Sequence, residues 1–246
     1  MKRNLILLCI LSLAACTITQ GPDRNTAAIP VFHVTPVRPV SELLPIALAA
    51  SPPQEKGDFL PADLVELTTL DQTFKLDIRY ATSQNFLGTP VYSQARAFLQ
   101  RPAAQALLRV QQSLATEGYG LLIHDAYRPW FVTKIFWDAT PANLHEYVAS
   151  PEHGSRHNRG CAVDLTLYDL KTGHAIEMPS LYDEMTDRAH ADYTGGTVEQ
   201  RRMRDFLRKH MEAEGFAVYE FEWWHFDYRD SNLYAIQNVR FEDLGK

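Results

Sequence analysis

Eight of the chain's 14 prolines fall between Pro22 and Pro61. No other feature limits more strongly where a packed domain can form. Each proline fixes φ and removes a backbone donor, so a dense run of them favours an extended, semi-rigid segment over helix or sheet. The run predicts a tether over residues 16–57 and a folded domain over residues 58–246. Within the tether, Leu43–Ala50 is apolar and is expected to dock on the domain.

The residues ahead of the tether have a different character. Lys2 and Arg3 precede an apolar run, Leu5–Leu13, and Leu13-Ala14-Ala15-Cys16 follows. This is the pattern of a secretory signal over residues 1–15, too short to cross a membrane. Its ending resembles the bacterial lipoprotein box, which implies lipidation of Cys16. The alternative is an ordinary signal peptide cut nearby. The whole chain carries a net charge of −6; losing Lys2 and Arg3 takes the basic count from 24 to 22 against 30 acidic residues, a balance of −8. That sign argues against a nucleic-acid partner, which calls for a basic face. Cysteine usage points the same way as the signal. Cys9 falls in the signal and Cys16 would carry lipid, leaving Cys161 with no partner for a bridge, so an apolar core must hold the domain. Cys161 stands where a small residue enters a strand, and no nucleophilic role is assigned to it.

Inside the domain, periodicity separates helices from strands. Phe74–Tyr80 alternates like a strand. Pro102–Glu117 reads as a helix with Leu107, Leu108, Val110 and Leu114 as its buried stripe, ended by Gly118. Gly120–Asp125 is a second strand and Ala162–Leu167 a third. Glu199–Glu214 is a second long helix, with Met203, Phe206, Leu207, His210 and Met211 near one face and Gly215 as its stop. Phe216–Phe226 is a last, aromatic strand. The expectation is an α+β domain, a small antiparallel sheet flanked by helices.

Three features carry chemistry. His157 lies in a polar loop and Asp164 in the strand that follows, with Gly160 supplying freedom for the chain to double back between them. Asp164 points from the strand face opposite Val163 and Leu165. Taken alone the pair is weak evidence, because an aspartate in an otherwise apolar strand is more often a hydrogen-bonded structural acid. Glu222-Trp223-Trp224-His225 is the second feature. Residues three apart face opposite sides of a flat strand, so Glu222 and His225 share a site only where the strand twists, bulges or ends. A glutamate buried beside two tryptophans is expected to have a raised pKa, which suits a general base. The third is Arg128 in Asp125-Ala126-Tyr127-Arg128-Pro129, a fixed cation able to meet an oxyanion or clamp a carboxylate. Two histidines and one carboxylate leave a fourth tetrahedral position open, the expected form of a catalytic zinc site. The rival pair His153 and His157 has helical spacing, but Pro151 and Gly154 oppose a helix there, and the sequence has no HExxH.

The pattern Ser155-x-His157-x-x-Gly160-x-Ala162-x-Asp164, followed by Glu222-x-x-His225, resembles the zinc peptidases of the D-Ala-D-Ala carboxypeptidase/hedgehog fold. Asp77-Ile78-Arg79-Tyr80-Ala81-Thr82, Asn85-Phe86-Gly88, Asp125–Pro129 and Asp183-Glu184-Met185 narrow the resemblance to the D-alanyl-D-alanine dipeptidases, over about residues 58 to 228. It implies one zinc ion per chain on His157, Asp164 and His225. It implies Glu222 as general base, Arg128 as stabiliser of the tetrahedral intermediate, and Ser155, Asp183 and Tyr80 as substrate-binding residues. The implied substrate is a small D,D-dipeptide, cut in peptidoglycan turnover. With Cys16 lipidated and Thr17 after it, the protein is expected at the outer membrane, facing the periplasm, anchored by its N-terminal lipid. Two other functions compete: a carboxypeptidase or endopeptidase acting on larger stem peptides, and a non-catalytic peptidoglycan-binding lipoprotein.

Overall fold

A computed structural model describes residues 30–245. The signal segment and Cys16 lie outside the described residues. In chain order the elements are α1 (Val40–Ala49), β1 (Leu64–Glu66), α2 (Leu67–Leu70), β2 (Lys75–Leu76), β3 (Phe98–Gln100), α3 (Arg101–Thr116), β4 (Tyr119–Asp125), α4 (Trp130–Ala139), β5 (Ala162–Asp169), α5 (Val198–Ala213), β6 (Phe216–Tyr219) and β7 (Glu222–Tyr228). Five strands form one sheet in the order β2-β4-β5-β7-β6, and β1 pairs with β3 beside it. The sheet is antiparallel except at one edge, where β2 runs parallel to β4.

The two long helices form where periodicity places them. Pro102 occupies the first turn of α3, where its missing N–H costs nothing, and Ala103, Ala106, Leu107, Val110 and Leu114 are buried along it. On α5, Thr197 and Gln200 form a reciprocal capping box, and Met203, Leu207 and Met211 recur every fourth residue on the buried face. α3 packs on β4 and on α5, and α5 packs on β6 and β7. Burying each large apolar side chain of this layer contributes about 1.5–3 kcal/mol. The central strand β5 is buried from Ala162 through Tyr168, so both faces of the sheet are covered where the site lies.

Three expectations change. Only Lys75 and Leu76 of Phe74–Tyr80 pair in the sheet, and Arg79–Ala81 is a 3-10 turn. The turn swings the Tyr80 ring inward against Phe86, Tyr92 and Phe136. The expected single strand Phe216–Phe226 is two strands joined at Glu220–Phe221, with Tyr219 paired to Glu222. Neither turn residue is a glycine, proline, asparagine or aspartate, so no turn signal marks the break. α4 had no counterpart in the sequence reading. It is buried around most of its circumference and so lacks a polar stripe for periodicity to register.

Much of the Pro-rich stretch is built into the domain. The apolar patch forms α1, which buries Val40, Leu43 and Ala47 and packs on α4. The Val34 N–H donates to the Phe86 carbonyl, and the Val37 N–H to the Ala139 carbonyl. Pro45 stands inside α1, where tertiary packing offsets its poor helix propensity.

Candidate active site

Sheet register assembles the centre. Asp125 on β4, Asp164 on β5 and His225 on β7 lie abreast: Asp125 pairs with Asp164, and Asp164 with His225. A register shift between Ile123 and Asp125 brings Asp125 into that row. One residue of slip would turn its side chain to the other face.

His157 reaches the same place from a 3-10 turn, Arg156–Arg159, ahead of β5. Ser155 caps this turn; its Oγ accepts from the His157 N–H, and Asn158 Oδ1 accepts from the Ser155 N–H. Gly160 ends the turn at φ 70°, and a Cβ there would come within 2.5 Å of Leu64. The doubling back expected of Gly160 is therefore both conformational and steric.

The ligand atoms form a tight triangle. His157 Nε2 is 3.1 Å from His225 Nδ1. Asp164 Oδ1 is 3.0 Å from His225 Nδ1 and 3.2 Å from His157 Nε2. Their outward partners set the protonation. His157 Nδ1 lies 2.6 Å from the Ala126 carbonyl, which can only accept, so Nδ1 carries the proton and Nε2 presents its lone pair. His225 Nε2 donates to Asp227 Oδ1 at 2.9 Å, which turns Nδ1 inward. Two ring nitrogens and a carboxylate oxygen thus converge, and a cation must sit among them: a proton or a metal ion. Tetrahedral ligands at about 2.0–2.1 Å from zinc stand about 3.3 Å apart, close to the observed edges. The donor set fits a metal, and outer partners of this kind fix ligand orientation in metal sites.

The surrounding charges are arranged about this triangle. Burial disfavours ionised Asp164, but the His157 and His225 rings outweigh it and hold its carboxyl well below the usual range. Burial likewise opposes a charged His225, and Asp164 and Asp227 overcome it, so that pKa is raised. Asp164 Oδ2 accepts from the Tyr182 hydroxyl at 3.0 Å and faces Arg128 Nη2 at 3.7 Å. Arg128 is held from behind: its Nε and Nη2 both donate to Asp125 Oδ2, at 2.9 and 2.8 Å. Its guanidinium lies 4.8 Å from the Phe136 ring centre and 5.3 Å from that of Tyr80, a favourable placement for a cation. The Tyr92 hydroxyl donates to the other oxygen of Asp125.

Glu222 is the first residue of β7, beside a register shift between Val218 and Tyr219. Of the geometries that let it reach His225, the strand start and the adjacent irregularity in pairing are both present. Its Oε2 is 3.6 Å from His225 Nδ1. Burial raises the Glu222 pKa to about 7, with His225 pulling down and Asp164 pushing up.

Asp183 has φ 60°, rare for a non-glycine residue. Its Oδ1 accepts from the Tyr80 hydroxyl at 2.8 Å, whereas Oδ2 is buried without a hydrogen-bond partner. Burial lifts its carboxyl well above the usual range, relieved in part by Tyr80 and reinforced by Asp164 and Glu222. Glu184 holds the loop around it by accepting from the Leu181 N–H and the Thr186 hydroxyl.

Tyr80, Arg128, Ser155, His157, Asp164, Asp183, Glu222 and His225 all line one cavity of about 640 Å³. Sequence reasoning quoted Asp125 without giving it a role and missed Asp227, Tyr92 and Tyr182. Asp227 lies two residues beyond His225, the same-face spacing of a strand, and that signal was available. Tyr182 offered none. Cys161 is fully buried and its thiol is pushed up to about 12 by burial, which disfavours the thiolate.

A buried triangle of side chains that could hold a metal ion, an adjacent carboxylate and a clamped arginine around one cavity are what a metal-dependent peptidase requires. A family model described as D-Ala-D-Ala dipeptidase matches residues 61–243, and the chain belongs to that peptidase family. Three curated proteins named D-alanyl-D-alanine dipeptidase are similar to it. The Enterococcus faecium protein is 39% identical over 63% of this chain and 85% of its own length. The Escherichia coli K12 protein is 34% identical over 71% and 89%, and the Enterococcus faecalis protein 40% over 61% and 83%.

Proposed function

We propose that this protein hydrolyses D-Ala-D-Ala to two D-alanines, with one zinc ion held by His157, Asp164 and His225. The observation that carries the reading is the convergence of three acceptor atoms beside Glu222 and Arg128, with both histidine rings oriented by a partner behind them and the Asp164 carboxylate held through its other oxygen by Tyr182. His157, Asp164 and His225 would hold the zinc ion, which would supply Lewis acidity to the hydrolysis. Glu222 takes a proton from the attacking water and returns it to the amine that leaves, so the water is consumed and its atoms are shared between the two products. Arg128, fixed by Asp125, meets the negative charge that builds on the carbonyl oxygen. The unpaired oxygen of Asp183, oriented through Tyr80, offers the substrate ammonium the partner each lacks. Ser155 acts mainly through the turn that aims His157.

A binding protein without catalysis needs neither Glu222 nor Arg128 at these distances. The test is incubation of the purified protein with D-Ala-D-Ala, before and after chelation and after zinc is restored. Turnover should vanish with the chelator and return with zinc. A zinc-replete, folded protein that releases no D-alanine would overturn the proposal.

The cellular placement belongs to the same proposal. The signal ending in Leu13-Ala14-Ala15-Cys16 supports export and lipidation at Cys16, with Thr17 favouring the outer membrane and a site facing the periplasm, in peptidoglycan turnover. Cys16→Ser should abolish lipid labelling and shift the protein from the membrane to the soluble fraction. A wild-type chain recovered soluble and unlipidated would contradict it.

A further inference from the structure

Tyr182 touches the ligand triangle and has no part in the reaction proposed above. Its hydroxyl donates to Asp164 Oδ2 at 3.0 Å, and an ionised carboxylate can only accept. The two oxygens of Asp164 keep different company. Oδ1 belongs to the triangle, 3.0 Å from His225 Nδ1 and 3.2 Å from His157 Nε2. Oδ2 has the Tyr182 hydroxyl at 3.0 Å and Arg128 Nη2 at 3.7 Å. The second distance is too long for a hydrogen bond, so among the described residues Tyr182 is the donor that satisfies Oδ2.

That division matters for Arg128. Its Nε and Nη2 already donate to Asp125 Oδ2, at 2.9 and 2.8 Å. Without the tyrosine hydroxyl, Asp164 Oδ2 would be a second buried carboxylate oxygen drawing the same guanidinium. Charge-assisted pairs of this kind are the strong ones, so the arginine would shift toward it.

The Tyr182 ring is held in place by what surrounds it. The register shift between Ile123 and Asp125 leaves His124 as the extra residue of β4. The His124 ring lies 4.7 Å from that of Tyr182, tilted by 32°. Burial and the Arg79 charge lower the His124 pKa to about 4, against the pull of Asp77, so at neutral pH it packs as an uncharged ring. Trp224 meets the tyrosine edge-on at 5.5 Å, and Tyr80 lies at 6.1 Å. The loop is pinned on either side of the ring. Trp223 Nε1 donates to Ser180 Oγ at 2.8 Å, the Leu181 N–H donates to Glu184, and Asp183 accepts from Tyr80. The bulge that moves Asp125 into the row with Asp164 thus also supports the group that holds Asp164.

We infer that Tyr182 is a positioning residue of the candidate metal centre: its hydroxyl keeps Asp164 turned with Oδ1 in the ligand triangle and Oδ2 off Arg128, which stays free to meet the oxyanion. The inference rests on the zinc peptidase reading proposed above.

The experiment sets Tyr182→Phe and Tyr182→Leu beside the wild type, each as the full chain. Tyr182→Phe keeps the ring and its packing and removes only the hydroxyl. Zinc affinity, read by competition with a chromophoric chelator, should fall about 10–100-fold in Tyr182→Phe, the loss typical of an outer partner of a metal ligand. It should fall at least as far in Tyr182→Leu. With zinc restored to saturation, Tyr182→Phe should turn over D-Ala-D-Ala with kcat lower by about tenfold or more, because a displacement of about 1 Å in a catalytic group can cost up to about 10²-fold. KM should stay within about twofold, and circular dichroism should not change. A role in packing alone predicts a normal Tyr182→Phe and an impaired Tyr182→Leu. That pattern would overturn the inference, as would wild-type zinc affinity in Tyr182→Phe or a normal kcat at saturating zinc. Zinc affinity does not involve the dipeptide. A wild type that holds zinc but leaves D-Ala-D-Ala intact would therefore remove the peptidase reading, with Tyr182 still judged by the affinity series. A wild type with no zinc affinity would remove both.

Discussion

His225→Ala is expected to cost the protein its metal and its turnover together. A catalytic zinc site uses three protein ligands and keeps a fourth position open. Here one edge of the ligand triangle joins His225 to His157 and another joins it to Asp164, so removing the ring leaves two ligands that cannot enclose an ion. His157→Ala should behave in the same way. Asp227→Ala makes a graded control. Asp227 holds His225 Nε2 but touches no ligand triangle atom itself, and losing such an outer partner typically lowers metal affinity about 10–100-fold. Zinc content after dialysis, read beside circular dichroism, checks the series. The wild type should retain about one zinc per chain, the histidine variants almost none, and Asp227→Ala should lose zinc to a weak chelator. Near-stoichiometric zinc in both histidine variants would sink the ligand assignment.

What the sequence made legible was local. His157, Gly160 and Asp164 lie within one loop-to-strand passage, so the turn that Gly160 permits between them could be read from spacing, whereas its left-handed φ of 70° and the close approach of Leu64 could not. Glu222 and His225 are also near neighbours, and the demand that the strand end or distort between them was a geometric necessity. Long-range placement was not legible. The row Asp125, Asp164, His225 depends on the register of three strands and on the shift before Asp125, which no local pattern encodes. Tyr182 and the strained Asp183 arrive on a loop whose course is set by Glu184 and by packing against Tyr80 and Trp224. Pro-rich composition pointed to an extended segment, whereas α1 is stabilised by what it buries on α4. The break between β6 and β7 fell at Glu220–Phe221, residues with no turn preference.

Glu222→Gln separates the chemistry from the metal. The amide has nearly the shape of the carboxylate and accepts hydrogen bonds through one oxygen, but it cannot take a proton from water at neutral pH. Glu222 is no member of the ligand triangle, so zinc and fold should both remain. Loss of general-base catalysis typically lowers kcat by about 10²–10⁴-fold. Glu222 is also proposed to protonate the departing amine, so the loss should fall at the upper end of that range or beyond it. KM should change less than kcat, because the group acts on the reacting water and not on the bound ends of the dipeptide. A residue serving only to fill the start of β7 would give another result: near-normal kcat if the glutamine fits, or loss of zinc and structure if it does not. Zinc content, circular dichroism and D-Ala-D-Ala turnover on one Glu222→Gln preparation distinguish these outcomes. A folded, zinc-replete variant with near-normal turnover would remove Glu222 as the base and leave the cavity with no group in the base's position.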